Sequence, residues 1–179
     1  MDVRTRFTKM AIEDAFISLL EEKPIRSITV KEICEHAQIN RGTFYRYYHD
    51  PTDLLKSIEE HIIDDIVASM TVAPADLESH FVMLLNDIKG AHRKYQALFS
   101  ENGDQGFLLR FVTLSYERAS VTLGQNMQSF DEPKDEWLFS FLGHGCSGVI
   151  STWIDDGMAE PPEEVAAFLV RLLASLSRD

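Results

Sequence analysis

Between Arg41 and Tyr47 the chain places side chains of the types that hold a duplex nucleic acid. Arg41 and Arg46 carry guanidinium forks that fit a guanine edge or a phosphate. Thr43 carries a hydroxyl for phosphate and a methyl for the thymine methyl, and the phenols of Tyr45 and Tyr47 reach backbone oxygens. Thr43 and Tyr47 are four apart and Arg46 lies three beyond Thr43, so a helix puts these three on one side, with Arg41 and Tyr45 on its flank. Phe44 and Tyr48, also four apart, fall on the other side and should face a core. Gly42 is a poor helix former, about 1 kcal/mol worse than Ala. Its missing Cβ lets the helix start approach an anion closely.

These side chains need two short helices to position them. Thr29-Val30-Lys31-Glu32 has the Thr-x-x-Glu form of a capping box, so a helix should begin near Val30. Ile33 and Ala37 give it a buried face, and Gln38-Ile39 leads to a second start at Asn40, a strong N-cap residue. The second helix is expected from Arg41 to about His49. Two short helices joined by a three-residue turn make a helix-turn-helix.

Several further stretches keep register with this pair. They are Ile12-x-x-Ala15-Phe16-x-x-Leu19-Leu20, Ile28-Thr29-Val30-x-x-Ile33-x-x-x-Ala37, Arg41-Gly42-Thr43-Phe44-Tyr45-Arg46-Tyr47-Tyr48 and Asp53-Leu54-Leu55. Together they resemble the DNA-binding domain of the TetR/AcrR family of one-component transcriptional regulators, over roughly the first 60 residues. The resemblance implies an all-helical homodimer whose first three helices bind operator DNA and whose variable C-terminal helices bind an effector. Most such regulators are repressors; some are activators. Thr29, Lys31, Asn40, Arg41, Gly42, Thr43, Tyr45, Arg46 and Tyr47 are then the residues expected at DNA. Three positions depart from the family pattern. Gln38 stands where Gly is usual, and a left-handed non-Gly residue costs roughly 1 to 2 kcal/mol. Pro51 replaces a Lys that often contacts phosphate, and Tyr48 stands near a usual Phe.

Charge divides along the chain. Of 17 Lys/Arg and 29 Asp/Glu, nine of each lie in residues 1–57, leaving eight against twenty beyond and the whole net charge of −12 there. The part expected to meet phosphate is neutral with local basic points, and the acidic remainder favours solubility. No apolar run approaches the roughly 18 residues of a membrane helix, and the N-terminus lacks a signal-peptide core, so a cytoplasmic location is expected. Cys34 and Cys146 have neither CxxC spacing nor a disulfide framework and read as reduced core thiols.

Apolar periodicity predicts helices almost throughout, about nine in all. The expected fold is all-α. A helix-turn-helix domain occupies residues 1–50 and an effector-binding and dimerisation domain residues 51–179. Helix one should span about Arg4 to Glu22, and its basic start, Arg4, Arg6 and Lys9, could approach a neighbouring phosphate. Asp50-Pro51 opens a helix running to about Met70, whose tilt could carry a signal between domains. Breaks fall at Thr71 to Pro74, at the 100–104 loop and at Ser129 to Pro133. Between them run helices over about 75–90, 91–99 and 107–127.

The last two helices carry broad apolar faces. Leu142, Cys146, Val149, Ile150 and Trp153 on one, and Phe168, Leu169, Leu172 and Leu176 on the other, are expected to pair with a second copy as a four-helix bundle. The glycines 143, 145 and 148 within the first would cost about 3 kcal/mol unless something approaches closely. Phe81, Phe107, Phe111, Tyr116, Trp137, Phe141 and His144 are candidate linings of an effector pocket, since bundle interiors are common ligand sites. The segment from Ala91 to Phe99, with Gly148-Val149-Ile150-x-x-Trp153 and Glu163-Glu164, resembles a C-terminal region of Firmicutes-type members, including regulators near dihydroxyacetone kinases. In that group the effector is a small molecule or a partner protein.

Enzyme readings fail on spacing. Gly143-His144-Gly145-Cys146-Ser147-Gly148 fits neither G-x-S-x-G nor G-x-C-x-G, and no strand precedes it. His61 and Asp65 lack a third metal ligand, and no phosphate loop or dinucleotide fingerprint is present. No cofactor is expected. The competing functional class is a helical protein-interaction adaptor whose helix-turn-helix packs against protein.

Overall fold

The computed structural model describes residues 3–69, 76–104, 106–122 and 133–176. Within them lie nine α-helices and one 3-10 turn, and no strand. The helices are α1 (Val3–Glu22), α2 (Val30–His36), α3 (Arg41–Tyr45), α4 (Pro51–Ser69), α5 (Leu77–Gly90), α6 (His92–Phe99), α7 (Phe107–Thr122), α8 (Pro133–Asp155) and α9 (Pro162–Leu176). The expected breaks at Thr71 to Pro74 and 129–132, and the end of α7, fall outside the described residues.

The chain forms two compact units. The first comprises Met1–Ile63 with Arg93–Gln105, and the second comprises Asp64–His92 with Gly106–Asp179. In the first unit, α1 buries Ile12, Ala15, Phe16, Leu19 and Leu20, the face expected from spacing. α2 packs on α1, and the same unit buries Ile33 of α2, Phe44 of α3 and Leu54, Leu55 and Ile58 of α4. α6 and the turn after it are tied to the end of α1. Arg93 makes two 2.8 Å hydrogen bonds to the Glu21 carboxylate, from Nε and Nη2, and a 2.7 Å bond to Ser18 Oγ. Asn102 Nδ2 donates to the Leu20 carbonyl at 3.0 Å, and the Asn102 carbonyl accepts from Ile25 N–H at 2.8 Å. A carbonyl left over at the end of α1 is thus capped by a residue far along the chain. A Cβ at Gly103 would stand 2.3 Å from the Leu98 carbonyl oxygen, so this turn requires glycine.

In the second unit α5 packs on α9 and α7, while α8 packs on α7 and α9. Its core includes Phe81, Leu84, Leu85 and Ile88 from α5, Phe107, Phe111 and Val112 from α7, and Ile150, Trp153 and Leu169 from the last two helices. The end of α8 is closed by Met158 N–H on the Trp153 carbonyl at 2.8 Å, with Gly157 at φ 76°. Trp153 Nε1 donates to the Glu160 carbonyl at 3.0 Å, so the buried indole is satisfied. Cys34 and Cys146 are buried free thiols. Desolvation raises both, Cys146 to about 11, which keeps them protonated and unreactive at neutral pH. Among the described residues no helix is long and apolar enough to cross a membrane.

Candidate nucleic-acid interface

The turn between α2 and α3 is built by local hydrogen bonds. Thr29 Oγ1 accepts from Glu32 N–H at 3.3 Å while Thr29 N–H donates to Glu32 Oε2 at 3.0 Å, the reciprocal capping box. Glu32 also pairs with Lys23 from the end of α1. The Lys23 hydrogen bond, with the Thr29 contacts behind it, lowers the Glu32 carboxyl to about 2. α2 then closes with Ile39 N–H on the Cys34 carbonyl at 3.0 Å and Gln38 N–H on the Glu35 carbonyl at 3.3 Å. This is the Schellman pattern, and it puts Gln38 at φ 54°, the left-handed position usually held by glycine. Two backbone bonds offset the strain. The turn is therefore formed despite the absent glycine.

α3 begins as the sequence indicates. Asn40 Oδ1 accepts from Thr43 N–H at 2.8 Å and from Thr43 Oγ1 at 3.1 Å. The Thr43 hydroxyl proton is thus committed to the cap. A Cβ on Gly42 would press to 3.3 Å from the same Asn40 oxygen, so glycine here also makes room for the cap. Regular helix ends at Tyr45, shorter than the expected run to His49. The N–H groups of Tyr47 and Tyr48 both turn to the Phe44 carbonyl, and His49 N–H goes to the Asp53 carboxylate at 2.8 Å. Asp50 caps α4 through Asp53 N–H at 2.9 Å, with Pro51 in the first helical position.

Two faces separate on this segment. Phe44 and Tyr48 are buried, with the Tyr48 hydroxyl 3.4 Å from Glu13 Oε1. Burial, with Glu13 adding to it, raises the Tyr48 phenol. Arg41, Gly42, Tyr45 and Arg46 are exposed, Tyr45 at 55%, and Thr43 and Tyr47 are half-buried. A cleft of about 510 Å3 opens beside them, lined by Arg4, Thr5 and Thr8 of α1, Gln38, Ile39 and Asn40 of the turn, and Thr43, Arg46 and Tyr47. Lys9 stands 5.9 Å from the Tyr47 ring centre and 5.8 Å from that of Tyr48. Among the described residues its lining holds two Arg side chains, phenol and hydroxyl oxygens and no carboxylate, a composition suited to anions.

The expected set is therefore split. Asn40, Thr43, Arg46 and Tyr47 meet in the cleft, while Arg41, Gly42 and Tyr45 lie outside its lining. Thr29 is used in the capping box, and Lys31 lies 3.7 Å from Glu35 on the surface of α2. Thr5 and Thr8 had no signal beyond their i, i+3 spacing on a helix whose other side is apolar.

In the second unit the described members of the expected pocket set differ in burial. Phe81, Phe107 and Phe111 are fully buried, with Phe107 and Phe111 rings 6.0 Å apart. Trp137 and Phe141 are 71% and 63% exposed, and His144 is exposed on the same helix. The Tyr116 side chain lies outside the described residues. A buried polar group that sequence spacing hid is His80, whose Nε2 has no hydrogen-bond partner among the described residues. Desolvation lowers it to about 4, so it is neutral.

The residues expected at the dimer face divide between the chain's own core and its surface. Cys146, Ile150, Trp153 and Leu169 turn into their own unit, because α8 and α9 each spend one stripe on the intrachain core. Leu142 and Val149 are half-buried, Phe168 and Leu172 are exposed, and the Leu176 side chain lies outside the described residues. The stripe left outside on α8 is Trp137, Phe141, Gly145, Gly148 and Thr152. A groove of about 740 Å3 runs between α8 and α9, lined by His144, Gly145, Gly148, Val149 and Phe168 among others.

A capped helix-turn-helix followed by a helical bundle defines a class of DNA-binding regulators. Comparison with known proteins narrows it. Residues 12–58 match the family described as bacterial regulatory proteins, tetR family, and residues 75–175 match a transcriptional regulator C-terminal region. An uncharacterized HTH-type transcriptional regulator, YxbF of Bacillus subtilis (strain 168), is 38% identical over 163 residues, 87% of this chain. The chain spans 42% of the length of that relative. Among solved structures, the dihydroxyacetone kinase operon activator DhaS shares the fold at TM-score 0.62 and 19% identity, covering 94% of this chain and 95% of its own. The fatty acid degradation regulator FadR from Bacillus halodurans does so at TM-score 0.66 and 14% identity, over 96% of both chains. The chain belongs to the TetR family of transcriptional regulators, with a DNA-binding domain and a C-terminal regulatory domain.

Proposed function

We propose that the protein acts as a homodimer that binds a palindromic operator through α3 and represses transcription until an effector engages its second unit. The observation that carries the DNA arm is the division of the α3 segment, with Phe44 and Tyr48 in the core and Arg41, Tyr45 and Arg46 turned to solvent. Shallow grooves of protein partners do not need paired guanidinium groups beside phenol hydroxyls; phosphates and guanine edges do.

The dimeric arm is supported by the outward stripe on α8 with Phe168 and Leu172 of α9. Gly143 is explained within the chain, since a Cβ there would meet Thr113 Oγ1 at 3.0 Å and Leu109 Cδ1 at 3.3 Å. Gly145 and Gly148 are different, with nothing within 4 Å of their Cβ positions. Each costs about 1 kcal/mol of helix propensity relative to Ala. Close approach of a partner helix uses that space. Two recognition segments on a two-fold axis read half-sites about 34 Å apart, one turn of DNA, or a multiple of that.

The effector arm is supported by His80, a polar atom set in an apolar interior where a ligand's hydrogen-bonding group would satisfy it. A small molecule or a partner protein fills the role, and the names of the two structural neighbours attach different regulatory tasks to the same fold.

The test is a footprint on DNA upstream of the protein's own gene, with sedimentation of the free protein and the complex. Two symmetric protected half-sites and a two-chain mass are expected. A monomer, or protection without symmetry, contradicts the proposal.

A further inference from the structure

Arg93–Gln105 belongs to the DNA-binding unit, although it lies within residues 75–175, the stretch that matches the C-terminal region. α6 anchors this segment by burying Tyr95, Ala97 and Leu98. The turn after it braces itself. Ser100 Oγ donates to the Ala97 carbonyl at 2.7 Å and accepts from Asn102 N–H at 3.2 Å, and Gly103 N–H donates to the Ser100 carbonyl at 3.1 Å. Asn102 then bonds in two directions, its side chain to Leu20 in the last turn of α1 and its carbonyl to Ile25 beyond it. Arg93 holds Glu21 and Ser18 from the other end of α6. Both holds land on residues 18–25, where the chain turns from α1 toward α2. Lys23, inside that stretch, pairs with Glu32, and Glu32 closes the capping box that opens α2. Hydrogen bonds therefore run in series from α6 to the first helix of the helix-turn-helix. The capping box fixes where α2 starts. The angle at which α2 leaves α1 depends on the chain between Glu22 and Thr29, and that chain is held from outside.

We propose that Arg93 and Asn102 are positioning residues for operator reading, holding residues 18–25 and setting, through Lys23 and Glu32, where α2 and with it α3 stand. This rests on the DNA-binding reading above. The three N-terminal helices are then an incomplete reading head, and α6 with its turn completes it. The two residues act through α1 and α2 rather than on DNA. Their loss should spare phosphate contacts, which carry no sequence information, and misplace base contacts, which do.

The experiment is fluorescence anisotropy of the full chain with labelled upstream DNA and with a scrambled duplex, titrated over a range of salt. Asn102→Asp keeps the size of the side chain but has no donor for the Leu20 carbonyl, and Arg93→Glu sets like charges against Glu21. Each is expected to lower the preference for upstream over scrambled DNA by roughly tenfold, the worth of one base contact. Affinity for the scrambled duplex and the salt slope should stay parental, whereas a lost phosphate contact would lower that slope by about 0.9. Glu21→Arg is expected to act as Arg93→Glu does, and the two together to restore the preference, because the pair is rebuilt in the opposite sense. Gln96→Ala, at an exposed position on α6, leaves preference and slope unchanged. Circular dichroism of each variant establishes that the helices are intact; Arg93 and Glu21 are exposed, so this pair remains testable should Asn102→Asp unfold. Parental preference in Arg93→Glu, no recovery in the double variant, or an equal loss in Gln96→Ala refutes the positioning role while operator binding stands. A lower salt slope with both duplexes weakened alike also refutes it, since Arg93 would then meet phosphate itself. If the parent protein binds neither duplex, the DNA-binding reading fails and the positioning role fails with it.

Discussion

The two units of this protein are specified in different ways. In the DNA-binding unit each turn carries its own signal. Thr29 with Glu32, Asn40 with Thr43 and Asp50 with Asp53 are hydrogen-bonded pairs three residues apart, and each sets a helix start. In the regulatory unit the helices are long and apolar on more than one side, and their orientation depends on which neighbour takes which stripe. A shape written in caps is read from a short window; a shape written in competing faces is not.

The largest effect expected from this contrast is in the core that holds the reading segment. Phe44→Ala removes a fully buried ring and should cost about 3 to 5 kcal/mol, measured by denaturant unfolding. Loss of DNA binding should accompany it, since Phe44 is the residue that α3 buries. A cost below about 1 kcal/mol would mean that α3 is not held by this contact.

The regulatory unit should respond instead to acid. His80 is about 4 in the folded chain against an ordinary value of 6.5, so the unfolded chain takes up its proton first as pH falls. Its stability is then complete above pH 6.5 and is lost progressively down to about pH 4, by at most about 3 kcal/mol. His80→Leu should flatten unfolding profiles over that window. An unchanged slope in the variant would place the acid sensitivity elsewhere.

Smaller changes sharpen the comparison. Asn40→Ala deletes a cap and should cost about 1 kcal/mol, with DNA affinity falling more than stability because the start of α3 frays. Gly148→Ala acts on the other unit and in the opposite sense. It should raise helix stability by up to about 1 kcal/mol, because its Cβ meets open space, while weakening self-association measured by sedimentation. Stabilisation with unaltered association would remove Gly148 from the interface.

Much of the first unit was legible in the sequence because its determinants are local. The capping box, the Asn40 cap, the Asp50-Pro51 restart and the inward face of α1 all stand where spacing puts them. Three features of it were not legible. α3 stops at Tyr45 because the Phe44 carbonyl takes two N–H groups and Asp53 takes a third, and propensity does not report that competition. The hold of Arg93 and Asn102 on α1 bridges 72 and 82 residues, beyond any periodic pattern. The Thr5 and Thr8 wall of the cleft depends on how α1 lies beside α3. In the second unit the helices were legible and their facing was not. Periodicity marks Cys146, Ile150 and Trp153 as a buried stripe but cannot tell burial in the chain from burial in a partner.

The most direct measurement is the affinity of Arg46→Ala and Tyr45→Ala for the upstream operator relative to scrambled DNA, with helicity followed in the same samples. Both side chains are exposed, so folding should be untouched. A loss of roughly tenfold or more in operator preference is expected, in line with about 1 to 3 kcal/mol per base contact. Parental preference in both variants would show that the outward face of α3 does not read DNA.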